Sequence, residues 1–226
     1  MVELQPRSFA GRIVRIYENE HIRFGFTEID FSAADLQRFF APRPLLFLKQ
    51  VHQKTILKDS DWRPAIEADG LLLQKTGNVA VIQTADCIPL FYYDDDFSLG
   101  GIIHVGWSGL FQGIELELLA MLPGDLDRYQ FFLGPAIEKK CYPVGEELVE
   151  LFNAKPYAKN IFTPRPDGKF LMDIKAAMVL SLRHAGVAAG RIQDSGLCTF
   201  CHPDRFPSYR RDGKTGKRIF NFLSLR

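Results

Sequence analysis

Seven short stretches rich in apolar, β-branched and aromatic residues limit what this chain can fold into. They predict β-strands over residues 12–17, 22–26, 45–48, 79–84, 90–93, 101–105 and 130–133. Several of these stretches are apolar at consecutive positions rather than at every second one. This pattern is typical of strands in a sheet that is covered on both faces. The chain is therefore expected to enclose its β-structure between other layers.

Helices are indicated at fewer places. The clearest helix is predicted to begin at Asp173, a residue type that caps helix N-termini, and to end at Gly186. Others are expected after Ser108 and Gly145. Because strands and helices do not alternate regularly, we expect an α/β (α+β) layered sandwich with a mixed central sheet flanked by helices. The 226 residues, 46% of them hydrophobic, are expected to form one globular domain over 1–226.

The charge is nearly balanced, with 28 Lys and Arg against 27 Asp and Glu, so no global field favours nucleic acid or an anionic membrane. No apolar run reaches the ~18 residues of a spanning helix, and the first residues lack the pattern of a secretory signal. We expect a cytoplasmic protein that acts on a small molecule. Four cysteines are too few for a disulfide scaffold, so they are expected to be buried thiols or metal ligands.

Three side chains of types that bind transition metals lie at the ends of predicted strands. His52 follows strand 45–48, Cys87 follows strand 79–84, and His104 lies near the end of strand 101–105. Imidazole and thiolate are ligands that zinc favours, and α/β sheets place their sites at strand ends. The spacings match no compact finger motif, however. Taken singly, a cysteine at a strand end is more often packed in the core than a ligand, and a histidine is more often a hydrogen-bonded edge residue.

Seven motifs follow one another along most of the chain. They are residues 49–52 (KQVH), 68–71 (ADGL), 84–90 (TADCIPL), 104–109 (HVGWSG), 134–137 (GPAI), 141–145 (CYPVG) and 208–213 (SYRRDG). In this order they resemble the laccase-domain family, also called polyphenol oxidase, purine nucleoside phosphorylase or peptidoglycan editing factor. The resemblance spans the chain from about His52 to Asn221.

The resemblance implies a metal site formed by His52, Cys87 and His104. Three protein ligands leave one coordination position open, which is typical of catalytic zinc, and copper is also possible. The resemblance further implies phosphorolysis of adenosine, inosine and methylthioadenosine, with adenosine deamination, and therefore a nucleoside and phosphate as partners.

Three alternatives stay open at this point. Hydrolysis of an amide in peptidoglycan precursors would use a metal-bound water or Cys87 as nucleophile. Copper-dependent phenol oxidation is implied by the older family name, although five histidines are few for several copper centres. The third alternative is a zinc-stabilised interaction protein without catalytic activity.

Four further residues are predicted to support this site. Asp69 and Asp86 are expected to orient a ligand imidazole or to act as general base. Asp69 followed by Gly70 is also a common turn pair. Arg210 and Arg211 are expected to bind phosphate through their guanidinium groups, with an exposed charged hairpin as the alternative.

The segment Cys198-Thr199-Phe200-Cys201-His202 fits patterns for haem attachment, thiol redox chemistry and zinc binding. No export signal accompanies it, and two nearby prolines argue against the helix of a thioredoxin-like site. We therefore expect Cys198 to line the substrate pocket, and Cys201 and His202 to be incidental. Cys141 is expected to pack in the core or to form pocket wall.

Two motifs depart from the family pattern. Where the family usually has His-Ala-Gly-Trp-Arg-Gly, this chain has Val105 and Ser108, and where it usually has Val-His-Gly, it has Gln53. Losing the arginine removes a permanent cation near the metal ligands. Phosphorolysis is therefore expected to be weaker or to use another basic group. Gln50 and Gln53 are expected to be solvated.

Overall fold

Two six-stranded sheets dominate the computed structural model, which describes residues 2–226. The first sheet has the order β1 (Gln5–Phe9), β2 (Arg12–Glu18), β3 (Ile22–Thr27), β15 (Ile219–Leu225), β7 (Val79–Thr84) and β4 (Leu45–Phe47). The second has the order β14 (Ile192–Asp194), β10 (Tyr129–Leu133), β8 (Ile88–Asp94), β9 (Gly100–Val105), β6 (Gly70–Leu73) and β5 (Ile56–Lys58). A small antiparallel sheet contains β11 (Pro143–Val144), β13 (Phe170–Met172) and β12 (Phe162–Pro164).

The helices cover the outer faces of the large sheets. They are α1 (Ala33–Phe40), α2 (Trp107–Gln112), α3 (Ile114–Met121), α4 (Glu146–Phe152), α5 (Ala158–Ile161) and α6 (Ile174–His184). Phe40 of α1 packs edge to face on Phe222 of the first sheet, with ring centroids 4.9 Å apart. Leu118 of α3 and Met178 of α6 belong to the same apolar cluster as Ile103 of the second sheet. Within residues 2–226, no helix is long and apolar enough to cross a membrane.

The predicted layered α/β sandwich is confirmed, and its β layer consists of two stacked sheets. Phe24 of β3 and Leu223 of β15 meet Phe91 of β8 and Ile102 of β9 in the apolar layer between the sheets. Each of these side chains is fully buried, which stabilises the fold by about 1.5–3 kcal/mol per residue. Both sheets are thus covered on two faces, which explains the consecutive apolar positions in their strands.

The seven predicted strands are all present, with ends within two residues of the prediction. The predicted helix is α6: the Asp173 carboxylate accepts a hydrogen bond from the N–H of Ala176 at 2.9 Å, and Gly186 follows with a φ of 100°. The helices expected after Ser108 and Gly145 correspond to α2 and α4.

Strand β15, at the centre of the first sheet, is among the strands that the seven predicted stretches do not include. β15 pairs with β3 on one side and with β7 on the other. Its apolar run is interrupted by Asn221 and Ser224, both fully buried. The Asn221 amide donates to the Thr84 hydroxyl at 3.0 Å, so a polar residue is accommodated inside the sheet.

Candidate metal centre

The three predicted ligand residues lie together where the two large sheets meet. His52 follows β4 of the first sheet, Cys87 lies in the turn that leads from β7 to β8 of the second sheet, and His104 is in β9. Their potential ligand atoms are all within 4.8 Å of one another. The two imidazole rings meet edge to face, with centroids 4.7 Å apart. Residues far apart in sequence thus form one cluster of two nitrogens and one sulfur.

The backbone beside two of these side chains is unusual. His52 has a φ of 58° and Asp86, which precedes Cys87, has a φ of 90°. Non-glycine residues rarely adopt positive φ, and such strain is found mainly where surrounding contacts enforce it. Here the contacts are hydrogen bonds to two buried carboxylates, those of Asp69 and Asp86.

The Asp69 carboxylate holds both the His52 loop and the His104 ring. One of its oxygens accepts from the His52 N–H at 3.0 Å and contacts His104 Nδ1 at 2.8 Å. The other accepts from the N–H groups of Val51 and Gln53 at 3.2 and 2.8 Å. Holding a proton on His104 Nδ1 directs the free Nε2 lone pair towards the cluster.

Charge coupling within the cluster favours the form of cysteine that binds metals. Burial raises the pKa of the Cys87 thiol, but the adjacent His104 and His52 outweigh it and lower the pKa to about 6. Burial lowers the pKa of His104, whereas Cys87 and Asp69 raise it to about 9. Burial raises the pKa of Asp69, but the His104 and backbone hydrogen bonds bring it below its ordinary value. Cys87 is thus held as a thiolate beside a protonated His104, whose proton a bound metal ion would displace.

The residues of the cluster fit a transition-metal ion. Imidazole nitrogen and thiolate sulfur are ligands of zinc and copper. Gly106 leaves room for them: a Cβ at this position would lie 3.1 Å from His52 Cδ2 and 3.2 Å from Cys87 Sγ. Any larger residue would therefore displace two ligand side chains.

The cluster opens into a cavity of about 500 Å³. Trp107 and Tyr209, which line it, are 39% and 46% exposed, an unusual state for large aromatic residues. Tyr142 lines the cavity as well. A volume of this size is typical of pockets for small organic ligands, and exposed aromatic rings provide faces on which a planar base can stack.

Of the two predicted phosphate-binding arginines, only Arg210 is placed on the cavity wall. Its guanidinium lies 5.1 Å from the Tyr142 ring centroid and donates to the Pro143 carbonyl. Arg211 points elsewhere and donates to the backbone carbonyls of Thr199, Phe200 and Phe206 at 2.7–2.9 Å. Arg218, which the sequence analysis did not single out, also lines the cavity.

The hairpin alternative for the Arg210 segment is wrong, because residues 209–213 form turns and no strand lies between β14 and β15. The segment is held instead by Asp86. This carboxylate accepts from the Thr199 hydroxyl at 2.6 Å, the Ser208 hydroxyl at 3.0 Å and the Arg210 N–H at 2.8 Å. Asp86 lines the cavity but makes no hydrogen bond to either ligand imidazole.

Two glutamines and a serine complete the surroundings. Gln50 is not simply solvated. Its side-chain amide makes two 2.8 Å hydrogen bonds to the backbone N–H and carbonyl of Gln83, in the pattern of a neighbouring β-strand. Gln53 has an exposed side chain. Ser108, at the position where the family usually has arginine, is half-buried and accepts a hydrogen bond from Gln112 at 3.0 Å.

The remaining histidines and cysteines lie away from the centre. His21 stacks on Phe97, His184 contacts the Leu180 carbonyl, and His202 is next to Phe206. Cys198 is absent from the cavity walls within residues 2–226 and instead lies beside Cys141 and Cys201. The prediction that Cys198 lines the substrate pocket is therefore wrong. A β-bridge between Ala136 and Cys198 holds this segment, and Cys198 is buried.

Comparison with known proteins agrees with this architecture. Residues 32–226 match the model of a family described as multi-copper polyphenol oxidoreductase laccase. The chain belongs to this family. It superposes on a Bacillus licheniformis hypothetical protein, YfiH, with a TM-score of 0.88 and 25% identity over 98% of this chain and 99% of that one. It also shares the fold of YlmD from Geobacillus stearothermophilus, with a TM-score of 0.89 and 23% identity over the full length of both chains.

Named relatives are similar in sequence as well. A Bacillus subtilis protein named purine nucleoside phosphorylase YlmD is 30% identical over 216 residues, covering 87% of this chain and 74% of the relative. A Xylella fastidiosa protein named purine nucleoside phosphorylase is 33% identical over 178 residues, covering 76% and 68%. The relatives' names are consistent with an enzyme of the phosphorylase type in this family.

Proposed function

We propose that this protein is a metal-dependent purine nucleoside phosphorylase that acts on adenosine, inosine and methylthioadenosine and also deaminates adenosine. The observation that carries the proposal is the His52, Cys87 and His104 cluster at a cavity lined by exposed aromatic rings and arginines. Relatives named purine nucleoside phosphorylase support the same reaction class. Nucleoside and phosphate are the substrates.

A zinc ion held by His52, Cys87 and His104, or copper in its place, would supply a Lewis acid that polarises a substrate oxygen. Asp69 acts as a positioning residue, because its hydrogen bonds hold the His52 loop and the His104 ring in place. Asp86 positions the segment that carries Arg210. Both carboxylates already accept several hydrogen bonds, so we assign them positioning roles and not that of general base.

In phosphorolysis, a phosphate oxygen bonds to the ribose anomeric carbon while the bond from that carbon to the base nitrogen breaks. The bonding electrons leave with the base, which takes up a proton. Arg210 and Arg218 provide positive charge on the cavity wall. They take the place of the arginine that the family usually has where this chain has Ser108. Trp107 and Tyr209 stack on the purine.

The test compares wild type with His52→Ala in an assay of adenosine and phosphate. Wild type should release adenine and ribose 1-phosphate, with inosine and hypoxanthine reporting deamination. The variant should lose turnover by more than about 100-fold, because losing a ligand exceeds the 10–100-fold effect of losing an outer partner. His21→Ala, which alters an exposed histidine stacked on Phe97, is the matched control.

Unchanged turnover in His52→Ala would contradict the assignment, as would a wild-type protein that binds metal and releases neither adenine nor ribose 1-phosphate. Circular dichroism on both variants distinguishes lost chemistry from lost folding. An unfolded His52→Ala protein would indicate a metal with a structural role only.

A second candidate rests on one geometric observation. His104 lies between the Cys87 thiolate and the buried Asp69 carboxylate, which is the order of groups in cysteine hydrolases. Amide hydrolysis in peptidoglycan precursors would use Cys87 as nucleophile. Incubation with muramyl peptides distinguishes the two: release of an amine from the precursor, with the acyl group trapped as a thioester on Cys87, would favour the hydrolase.

A further inference from the structure

A second group of soft ligands lies outside the cavity. The sulfur atoms of Cys141, Cys198 and Cys201 are all within 4.8 Å of one another, and those of Cys141 and Cys201 are 3.3 Å apart. The three cysteines are free thiols. The proposed phosphorylase mechanism uses none of them. The sequence indicates no role for Cys201 and predicts that Cys198 lines the pocket, yet the side chains of all three cysteines converge on one point.

The convergence is built into the fold. Cys141 ends the short 3₁₀ turn before β11, where its N–H donates to the Glu138 carbonyl at 2.9 Å. Cys198 is 2% exposed and is held by its bridge to Ala136. Cys201 is exposed and comes from the same turn three residues later. Two separate segments of the chain therefore bring the three sulfur atoms together. The group is open to solvent on the side of Cys201.

Three thiols in this arrangement are typical of a site that binds a soft metal cation. A zinc ion binds thiolate sulfur at about 2.3 Å, which puts the sulfurs of one site about 4 Å apart. The observed spacing is within a small adjustment of this value. Cys198 and Cys201 form a Cys-x-x-Cys pair, a spacing found in structural zinc sites. A disulfide would use only two of the three sulfurs.

We propose that Cys141, Cys198 and Cys201 bind a second metal ion, a thiophilic cation such as Zn²⁺ or Cu⁺. Zinc would take its fourth ligand from solvent beside the exposed Cys201. This site does not depend on the metal at His52, Cys87 and His104, with which it shares no ligand.

The second ion would brace the wall of the cavity. Tyr142, directly after Cys141, lines the cavity and lies under the Arg210 guanidinium. Thr199, directly after Cys198, donates to the Asp86 carboxylate at 2.6 Å. Joining the two cysteine segments through a metal therefore fixes two contacts that position Arg210.

The experiment titrates reduced, metal-free protein with Co²⁺ under anaerobic conditions and follows the sulfur-to-cobalt charge-transfer absorption. Wild type should bind about two ions per chain. Cys201→Ser should lose about one ion and most of the absorption, because the second site has three thiolates and the first has one. Cys87→Ser should lose the other ion and keep most of the absorption. Cys141→Ser should reproduce the Cys201→Ser result.

Cys201 is exposed, so Cys201→Ser is expected to fold, and its thermal unfolding transition checks this. A Cys201→Ser protein that folds and binds as much cobalt as wild type overturns the proposal. So does wild-type protein that binds about one ion, lost entirely in Cys87→Ser, or that yields a Cys141–Cys201 disulfide in place of the second ion. The Cys87→Ser arm reports on the first site separately, so failure of one site is distinguishable from failure of the other.

Discussion

Asp69 and Asp86 are two buried carboxylates on either side of the same cluster, and they differ in the groups they accept from. Asp69 receives only N–H groups: three from the backbone and one from the His104 ring. Asp86 receives one backbone N–H, from Arg210, and the hydroxyls of Thr199 and Ser208. An N–H can only donate, whereas a hydroxyl can turn and accept.

Positions 69 and 86 are therefore expected to tolerate different substitutions. Position 69 needs two oxygens that both accept, so an ionised carboxylate is the side chain that satisfies it. Position 86 needs one oxygen that accepts from the Arg210 N–H. Its other partners are the hydroxyls of Thr199 and Ser208, which can turn to donate or to accept. In the proposed function, Asp69 therefore positions the metal ligands His52 and His104, and Asp86 positions the segment of Arg210.

Asp69→Asn is the strongest test of this difference. The asparagine NH₂ must face N–H donors at one of its two sites, so the free energy of unfolding should fall by about 3 kcal/mol. Zinc affinity should fall about 10–100-fold because His104 loses its orienting partner. Urea unfolding and metal titration measure the two effects. A variant as stable as wild type, or one with unchanged zinc affinity, would remove the distinction between the carboxylates.

Asp86→Ala tests the other side of the comparison with a smaller effect. Truncation leaves the Arg210 N–H without its acceptor and opens a void, so the free energy of unfolding should fall by about 2 kcal/mol. In a zinc titration, this variant should bind as much zinc as wild type, because Asp86 makes no hydrogen bond to His52 or His104. Phosphate KM should rise as Arg210 loses its position. Loss of zinc in this variant would contradict the division of roles.

The sequence predicts the layers of the fold because burial leaves a direct mark on it. Strands such as β7 and β8 are apolar at nearly every position since both faces are covered. Periodicity does not reveal how many sheets are stacked, so one central sheet was expected where two occur. β15 was missed because the buried residues Asn221 and Ser224 interrupt its apolar pattern, and the partner of the Asn221 amide, the Thr84 hydroxyl, comes from a strand that is distant in sequence.

The site follows a similar division. His52, Cys87 and His104 are chemically distinctive and lie next to strands, so residue type and family resemblance are enough to select them. The role of Asp69 depends on a loop whose N–H groups all turn towards one carboxylate, and no spacing in the sequence specifies that. Arg210 and Arg211 are adjacent and identical in type, yet only Arg210 reaches the cavity.

Asp86→Asn should give the smallest effect and completes the comparison with Asp69→Asn. The asparagine oxygen can accept from the Arg210 N–H and the Ser208 hydroxyl, while its NH₂ donates to the Thr199 hydroxyl, which turns to accept. The substitution removes the carboxylate charge and leaves the Thr199 hydroxyl proton without its acceptor. Because the other hydrogen bonds are kept, the free energy of unfolding should fall by about 1 kcal/mol. Asparagine also tolerates the positive φ at this position. Parallel urea unfolding of the two asparagine variants measures the contrast, and equal losses would show that the donor type around each carboxylate does not decide its tolerance.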